Sequence, residues 1–198
     1  INSLFASLFA EVKLPFGLSY RLSFQPRFQN IKDYNFWNTE TITGANDYKG
    51  GYGTRQDYSQ SEWMIDNIIK WNKEIGINNF DLTLLYSAEN VKNYTSQYTN
   101  QTFLPSDALG FHGMGFGTIP IVTSTDTEAG GNALMARLNY TLLGKYLLTA
   151  SIRRDGFSAF GQQNPTATFP AVALAWKISD EDFINIGFLN RLKLRLSW

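Results

Sequence analysis

The chain has 198 residues, with 17 Lys and Arg against 17 Asp and Glu, one His and no Cys. The balanced charge lacks the cationic excess of nucleic-acid-binding proteins, so no nucleic-acid partner is expected. The absence of Cys excludes disulfides and thiolate chemistry, and no apolar run of about 18 residues predicts a membrane-spanning helix.

Apolar and polar residues alternate along most of the chain, which is typical of β-strands with one apolar and one polar face. Residues 62–75 also fit a helix, because Ser61 and Gly76 are of the types that cap helices. Their apolar residues can also share one face of a strand, and the neighbouring segments are strands, so a strand is favoured. The pattern predicts about eight strands, near residues 3–13, 18–28, 62–75, 80–89, 134–142, 146–155, 169–178 and 192–198.

The connections between these strands alternate in length. Turn-forming residues predict short turns at 15–17, 76–79 and 144–145. Long polar stretches, rich in Asn, Thr, Tyr and Gly, separate them at 30–60 and 92–131. Short turns that alternate with long loops are typical of outer-membrane barrels, in which the turns face the periplasm and the loops face outward.

The strand lengths and faces also favour a membrane barrel. Segments 18–28 and 146–155 have the 9–11 residues that a spanning strand needs. Four aromatic residues are predicted near strand ends, as in the interfacial girdles of such barrels: Trp63, Trp71, Tyr140 and Tyr146. The predicted fold class is therefore an all-β, antiparallel, up-and-down transmembrane barrel. A soluble β-sandwich, with the apolar faces buried inside, is the alternative.

The polar strand face would line the lumen of such a barrel. By parity it carries Arg21, Arg27, Arg137, Arg153, Asp155, Lys193 and Arg195. Among these, Arg137, Arg153 and Asp155 are candidates for cargo contact, although ion pairing within the wall and with a plug is the main role expected. A second set of candidates consists of aromatic residues predicted in the long loops, where they suit sugar stacking, peptide binding or packing beneath a partner: Tyr34, Trp37, Tyr94 and Tyr98.

No catalytic constellation is found, and no metal or cofactor is expected. His112 lies in a glycine-rich stretch without identifiable catalytic or metal-binding partners, so a solvated or cargo-contacting loop histidine is favoured. The acidic run Asp180-Glu181-Asp182 is interpreted as a solvated turn rather than a cation site. The protein is therefore not expected to be an enzyme.

A specific succession of motifs occupies residues 133–183. It contains Arg137-Leu138-Asn139-Tyr140, Lys145-Tyr146-Leu147-Leu148-Thr149-Ala150-Ser151-Ile152-Arg153, Asp155-Gly156, Phe169-Pro170, Trp176-Lys177-Ile178-Ser179, Glu181 and Phe183. The order and spacing resemble the C-terminal half of the barrel in SusC/RagA-type TonB-dependent outer-membrane transporters. Residues 1–87 share only the strand rhythm of that family. Ala159 departs from the family pattern, and residues 92–131 show no family pattern.

The resemblance implies a barrel of about 22 strands that encloses a plug domain, in the outer membrane of a Gram-negative bacterium. It also implies active import of glycans or peptides, driven by the TonB complex and assisted by a SusD-like surface lipoprotein that closes over the loops. Neither a plug nor a TonB-recruiting segment is visible. Residues 1–198 are therefore expected to form part of the barrel wall, in contact with lipid outside and with oligosaccharide or peptide cargo inside.

Three other interpretations stay open. One is a complete eight-stranded barrel filled by its own side chains. Another is a TonB-dependent receptor for a metal chelate or a vitamin. The last is a secreted β-sandwich that binds carbohydrate without transporting it.

Overall fold

A computed structural model describes residues 1–47, 50–103, 108–161, 165–184 and 191–198. The described residues form one antiparallel sheet of nine strands. The strands are β1 (Asn2–Phe5), β2 (Leu8–Lys13), β3 (Leu18–Trp37), β4 (Tyr52–Ile75), β5 (Asn78–Gln101), β6 (Ile121–Leu142), β7 (Tyr146–Phe157), β8 (Thr166–Lys177) and β9 (Lys193–Ser197).

Helical structure is limited to short segments. They are the 3₁₀ turns Pro15–Gly17, Gly110–Phe116, Ser158–Phe160 and Ile178–Asp180, and the π-helical turn Thr43–Asp47. Within the described ranges, no helix has both the length and the apolar character needed to cross a membrane.

The chain divides into two compact units. Unit 1 comprises residues 1–6, 26–62 and 91–128, and unit 2 comprises residues 7–25, 63–90 and 129–198. Strands β3 to β6 contribute residues to both units.

Each strand pairs with its sequence neighbour, except that β1 and β2 both pair with β3. Leu4 pairs with Phe28 and Leu8 with Phe24, so the register is the same in both pairings. The interruption falls opposite Pro26, which has no backbone N–H to donate to the ladder. The nine strands therefore occupy eight positions in the sheet, which agrees with the eight segments read from the sequence.

The ambiguous segment 62–75 is a strand, as predicted, because β4 runs without interruption from Tyr52 to Ile75. The lengths of the predicted long loops are wrong. The described residues of 30–60 lie in strands except between Trp37 and Tyr52, and those of 92–131 lie in strands except between Gln101 and Ile121.

Polar cross-strand bonds explain why these stretches are strands. In unit 1, the Tyr58 hydroxyl donates to Asn93 Oδ1 (2.9 Å), and Asn93 Nδ2 lies 3.5 Å from Thr127 Oγ1. Such polar pairs stabilise neighbouring strands without apolar side chains. They leave no apolar alternation in the sequence, which is why the pattern suggested loops.

The two faces of the sheet in unit 2 differ as the alternation predicts. Leu148 pairs with Tyr140 and Leu174 on one face, and the adjacent Thr149 pairs with Asn139 and Ala173 on the other. Apolar side chains of the first face are largely exposed: Leu134, Ile152, Leu174, Leu194 and Leu196 are each at least half accessible. In the part of the chain that is described, no second sheet covers this face, contrary to the sandwich alternative.

Aromatic rings form a row at the short-turn end of this face. The ring centroids of Trp71 and Phe80 are 6.2 Å apart, those of Phe80 and Tyr140 5.0 Å, and those of Tyr146 and Trp176 6.3 Å. The predictions that Trp71, Tyr140 and Tyr146 lie near strand ends are confirmed.

The prediction that Trp63 lies near a strand end is wrong, because β4 begins at Tyr52 and Trp63 falls in its middle. The segment from Trp63 to Trp71 contains nine residues, which is the length of a membrane-spanning strand. Strand β4 continues beyond Trp63 toward Tyr52.

Candidate functional site

The predicted lumen residues Arg137, Arg153 and Asp155 all lie on the polar face of unit 2, because Arg137 pairs with Ser151 and Arg153 with Met135. Arg153 Nε donates to both Asp155 carboxylate oxygens, at 2.8 and 2.9 Å. The structure therefore joins Arg153 and Asp155 in an ion pair along one strand and leaves Arg137 outside it.

Arg137 lines a separate, smaller depression of about 290 Å³ on the same face, together with Thr149, Ser151 and Arg195. Small residues of β8 make room there, since Ala171 pairs with Ser151 and Ala173 with Thr149. This depression is polar and open, and it places two guanidinium groups on the wall.

A larger cavity of about 540 Å³ opens beside the Arg153–Asp155 pair. We call it the polar-face cavity. Its volume falls within the range of ligand-binding pockets in proteins. Charged residues, aromatic residues and residues with little or no side chain line it, among them Asp66, Glu89, Gly131, Asn132, Arg153, Asp155, Phe157, Phe160 and Phe169.

The charged side chains of the polar-face cavity are predominantly acidic. Arg153 is committed to Asp155, so these two charges offset one another. Asp66 accepts a hydrogen bond from the Ser87 hydroxyl at 2.6 Å, and Glu89 adds a second carboxylate. The cavity therefore suits hydroxyl-rich or cationic groups, which donate hydrogen bonds to carboxylates.

Aromatic rings form another part of the cavity wall. The rings of Phe157 and Phe160 meet edge to face with centroids 5.7 Å apart, and Phe169 pairs in register with Arg153. Gly131 gives them space, because a Cβ there would lie 2.9 Å from the Phe157 ring and 3.0 Å from Glu89 Oε1. Flat rings beside hydrogen-bonding groups can hold the apolar faces of sugars or peptide side chains.

Asp66, Glu89 and the three phenylalanines were not among the site residues predicted from sequence. The signal for Glu89 was the alternation within residues 80–89, which puts it on the polar side of its strand. The signal for Phe157 and Phe160 was their position directly after the Asp155-Gly156 motif. That motif pointed to the family, whereas the cavity depends on cross-strand neighbours that no local pattern reveals.

The aromatic candidates predicted in loops lie in strands instead: Tyr34 and Trp37 in β3, Tyr94 and Tyr98 in β5. The loop assignment is therefore wrong, for the reason given for the polar strands of unit 1. Tyr94 is the most accessible of the four, at 47% exposure.

The other three aromatic candidates already have partners within unit 1. Tyr34 donates to Asp57 Oδ1 (2.8 Å) and lies beneath the Arg55 guanidinium, 4.5 Å from the ring centroid. Trp37 stacks on Tyr52 at 5.5 Å. The Tyr98 hydroxyl donates to the Met114 carbonyl (3.2 Å) and accepts from Asn100. These contacts show packing within the wall.

The acidic run at 180–182 is a solvated turn only in part. Asp182 is fully exposed, but the side chain of Glu181 is only 11% accessible. Its carboxylate accepts hydrogen bonds from Tyr146 (2.6 Å), Trp176 Nε1 (2.8 Å) and Lys145 Nζ (3.1 Å). The bonds from Tyr146 and Trp176, with the nearby Lys145, lower the pKa of Glu181 from 4.5 to about 2. The prediction of a solvated residue is thus wrong for Glu181.

His112 lies in the 3₁₀ turn Gly110–Phe116, where it is exposed and stacks against Phe111 at 4.2 Å. This agrees with a solvated histidine. The described residues contain no group of three or more His, Cys, Asp or Glu side chains that could hold a metal ion.

An exposed apolar band, a row of aromatic rings at the short-turn end and an opposite polar face define the wall of a transmembrane β-barrel. Comparison with known families agrees. The chain belongs to the TonB-dependent receptor-like β-barrel family, whose model matches residues 7–198. The resemblance to SusC-type transporters read from the sequence is confirmed by the relatives below.

The chain is 33% identical over 182 residues to TonB-dependent receptor P26 of Formosa agariphila, covering 90% of this chain and 18% of that protein. It is 32% identical over 154 residues to TonB-dependent receptor SusC of Bacteroides thetaiotaomicron, covering 74% of this chain and 14% of SusC. The chain therefore spans less than a fifth of the length of these relatives.

Solved structures show the same fold. A structure of the RagAB peptide transporter superposes with a TM-score of 0.84 at 18% identity, covering 98% of this chain and 22% of that chain. The ferric citrate transporter FecA gives a TM-score of 0.52 at 15% identity, covering 90% of this chain and 25% of that chain.

Proposed function

We propose that residues 1–198 form part of the barrel wall of an outer-membrane, TonB-dependent importer. The observation that supports this most directly is the opposition of the two faces in unit 2. Leu174 and Leu196 are 53% and 64% exposed on one face, while the polar-face cavity opens on the other. Large apolar side chains left open on a continuous sheet fit a hydrocarbon environment.

We further propose that the cargo is a glycan or a peptide. The cavity combines carboxylates with phenylalanine rings, which suits hydroxyl-rich sugars or peptides that carry cationic residues. The fold match to the RagAB peptide transporter supports the peptide part of this proposal. Asp66, Glu89, Arg153 and Phe157 are the residues we propose to contact it.

The proposed partners follow from the same relatives. A SusD-like surface lipoprotein would close over the long-loop end, and the TonB complex would supply the energy for import. We propose that the plug and the TonB-recruiting segment belong to parts of the transporter outside residues 1–198.

The test uses the full-length transporter in its host. Uptake of fluorescent oligosaccharides and peptides is measured with tonB intact and deleted, and the purified protein is probed for a co-purifying lipoprotein. We expect TonB-dependent uptake of one of the two cargo classes. Uptake confined to a metal chelate or a vitamin would contradict the cargo proposal, and a protein that stays soluble without detergent would contradict the membrane assignment.

A further inference from the structure

The apolar face of unit 2 becomes more polar toward its long-loop end. Toward that end the rows of register partners are Ala136, Ile152 and Pro170, then Leu134, Arg154 and Thr168, and finally Asn132, Gly156 and Thr166. Arg154 follows the girdle residue Tyr146 by eight positions, so the segment between them has the length of a spanning strand. Arg154 therefore marks the outer edge of the apolar band, at the level of lipid headgroups.

An apolar groove of about 530 Å³ lies in this face beside Arg154. Ala136 has the smallest side chain among the residues that line the groove, so an empty space is left between the larger side chains around it. These neighbours include Ile69, Leu84, Leu134 and Ile152. The groove is therefore a depression in the surface that faces hydrocarbon, with a cation at one end.

The side chain of Arg154 is exposed, and its guanidinium has no acidic partner among the described residues. The preceding Arg153 points to the opposite face and is paired with Asp155. Thr168, the register partner of Arg154, adds a hydroxyl donor at the same level. An unpaired guanidinium at the headgroup level favours an anionic group, and phosphate is the anion its geometry suits best.

We propose that this groove binds an acyl chain of a phosphorylated lipid of the outer leaflet, whose phosphate is held by Arg154. A free anion would use only the charge of Arg154, whereas a phosphorylated lipid would also fill the apolar groove beside it. The inference rests on the proposed function, because it requires this face to lie in the outer membrane. It assigns a binding site to the outside of the wall, away from the cargo path.

The test titrates the delipidated full-length protein in detergent with lipid A and counts bound lipid by native mass spectrometry. Arg154→Gln is expected to weaken binding about tenfold, because one charge-assisted contact is lost. Ala136→Leu, which fills the groove without changing charge, is expected to weaken it several-fold.

Two matched variants serve as controls. Arg195→Gln removes the same charge from the opposite face, and Ala150→Leu adds the same bulk to the apolar face at a position that does not line the groove. Both are expected to bind lipid A like the wild type. Equal affinity of wild type and Arg154→Gln, or an equal loss in Arg195→Gln, would overturn the proposal.

Two further outcomes separate the possible causes of failure. Displacement of lipid A by inorganic phosphate would show an anion site without a lipid and would overturn the proposal. A protein that needs detergent but shows no Arg154-dependent lipid binding contradicts this inference alone, whereas a protein soluble without detergent contradicts the proposed function.

Discussion

Unit 1 and unit 2 differ in whether any of their large apolar side chains is buried. Phe103 and Met114, the large buried apolar residues of the described chain, both belong to unit 1, where each is 3% exposed. In unit 2 the side chains of comparable size, such as Ile152 and Leu174, are more than half exposed. Unit 1 therefore has a small buried core of its own, although Phe5 and Ile121 at its surface are exposed, whereas no large apolar side chain of unit 2 is buried among the described residues.

The largest effect is expected from a charge placed on the apolar face of unit 2. Ala150→Arg, midway between Tyr146 and Arg154 on the apolar face, should impair insertion and assembly by about 2–4 kcal/mol, because charge near the bilayer midplane is poorly tolerated on the lipid face. Thr149→Arg, one residue earlier on the polar face, should be tolerated. Folding yields in lipid vesicles measure the difference, and equal yields for the two variants would mean that the faces are assigned wrongly.

The difference between the two units also explains which strands and faces could be predicted from the sequence. In β7, apolar and polar residues alternate between the two faces of the sheet, so alternation gave the strand and its two faces correctly. In unit 1 both faces of a strand carry polar residues, so Tyr34 and Tyr98 were assigned to loops. Arg154 was overlooked, although two consecutive arginines in a strand must point to opposite faces. The partners of Glu181 lie up to 36 residues away and leave no local signal.

A second prediction concerns the core of unit 1. Asn100 is 2% exposed, and its amide nitrogen donates to the Met114 carbonyl at 2.9 Å. Its Oδ1 accepts from the backbone N–H groups of Gln101 (2.9 Å) and Ile119 (3.0 Å). Asn100→Ala removes these three bonds. The Met114 carbonyl keeps its bond from the Tyr98 hydroxyl, but the N–H groups of Gln101 and Ile119 lose their side-chain acceptor, so a local destabilisation of about 2 kcal/mol is expected.

Hydrogen exchange measures this effect residue by residue. Amides around Ile119 should exchange faster in Asn100→Ala, while amides of β7 should be unchanged. Tyr94→Ala, an exposed position on the same strand, is the control and should leave both sets unchanged. Faster exchange throughout β7 would show that the loss of the Asn100 side chain also destabilises unit 2, contrary to this prediction.

A third prediction compares the aromatic residues of the two units in cargo binding. Phe157 lines the polar-face cavity, whereas Trp37 is stacked on Tyr52 within unit 1. Phe157→Ala should weaken cargo binding by about 1 kcal/mol through loss of ring contacts. Trp37→Ala should leave affinity unchanged. Titration calorimetry with the transported cargo distinguishes them, and a larger loss in Trp37→Ala would move the site to unit 1.

The smallest effect expected is the pH dependence from Glu181 at the short-turn end of unit 2. Its pKa is lowered from 4.5 to about 2 in the folded protein, so the unfolded state binds more protons between these values. The stabilisation from Glu181 is therefore complete above pH 4.5 and is lost as the pH falls toward about 2.

Glu181→Gln should lower the unfolding midpoint at neutral pH, and the difference from wild type should shrink across this window. Asp182→Gln is the matched control, because its fully exposed carboxylate lies one residue away and should leave the midpoint unchanged. A difference between Glu181→Gln and wild type that stays constant down to pH 2 would show that the bonds from Tyr146 and Trp176 do not depend on the carboxylate charge.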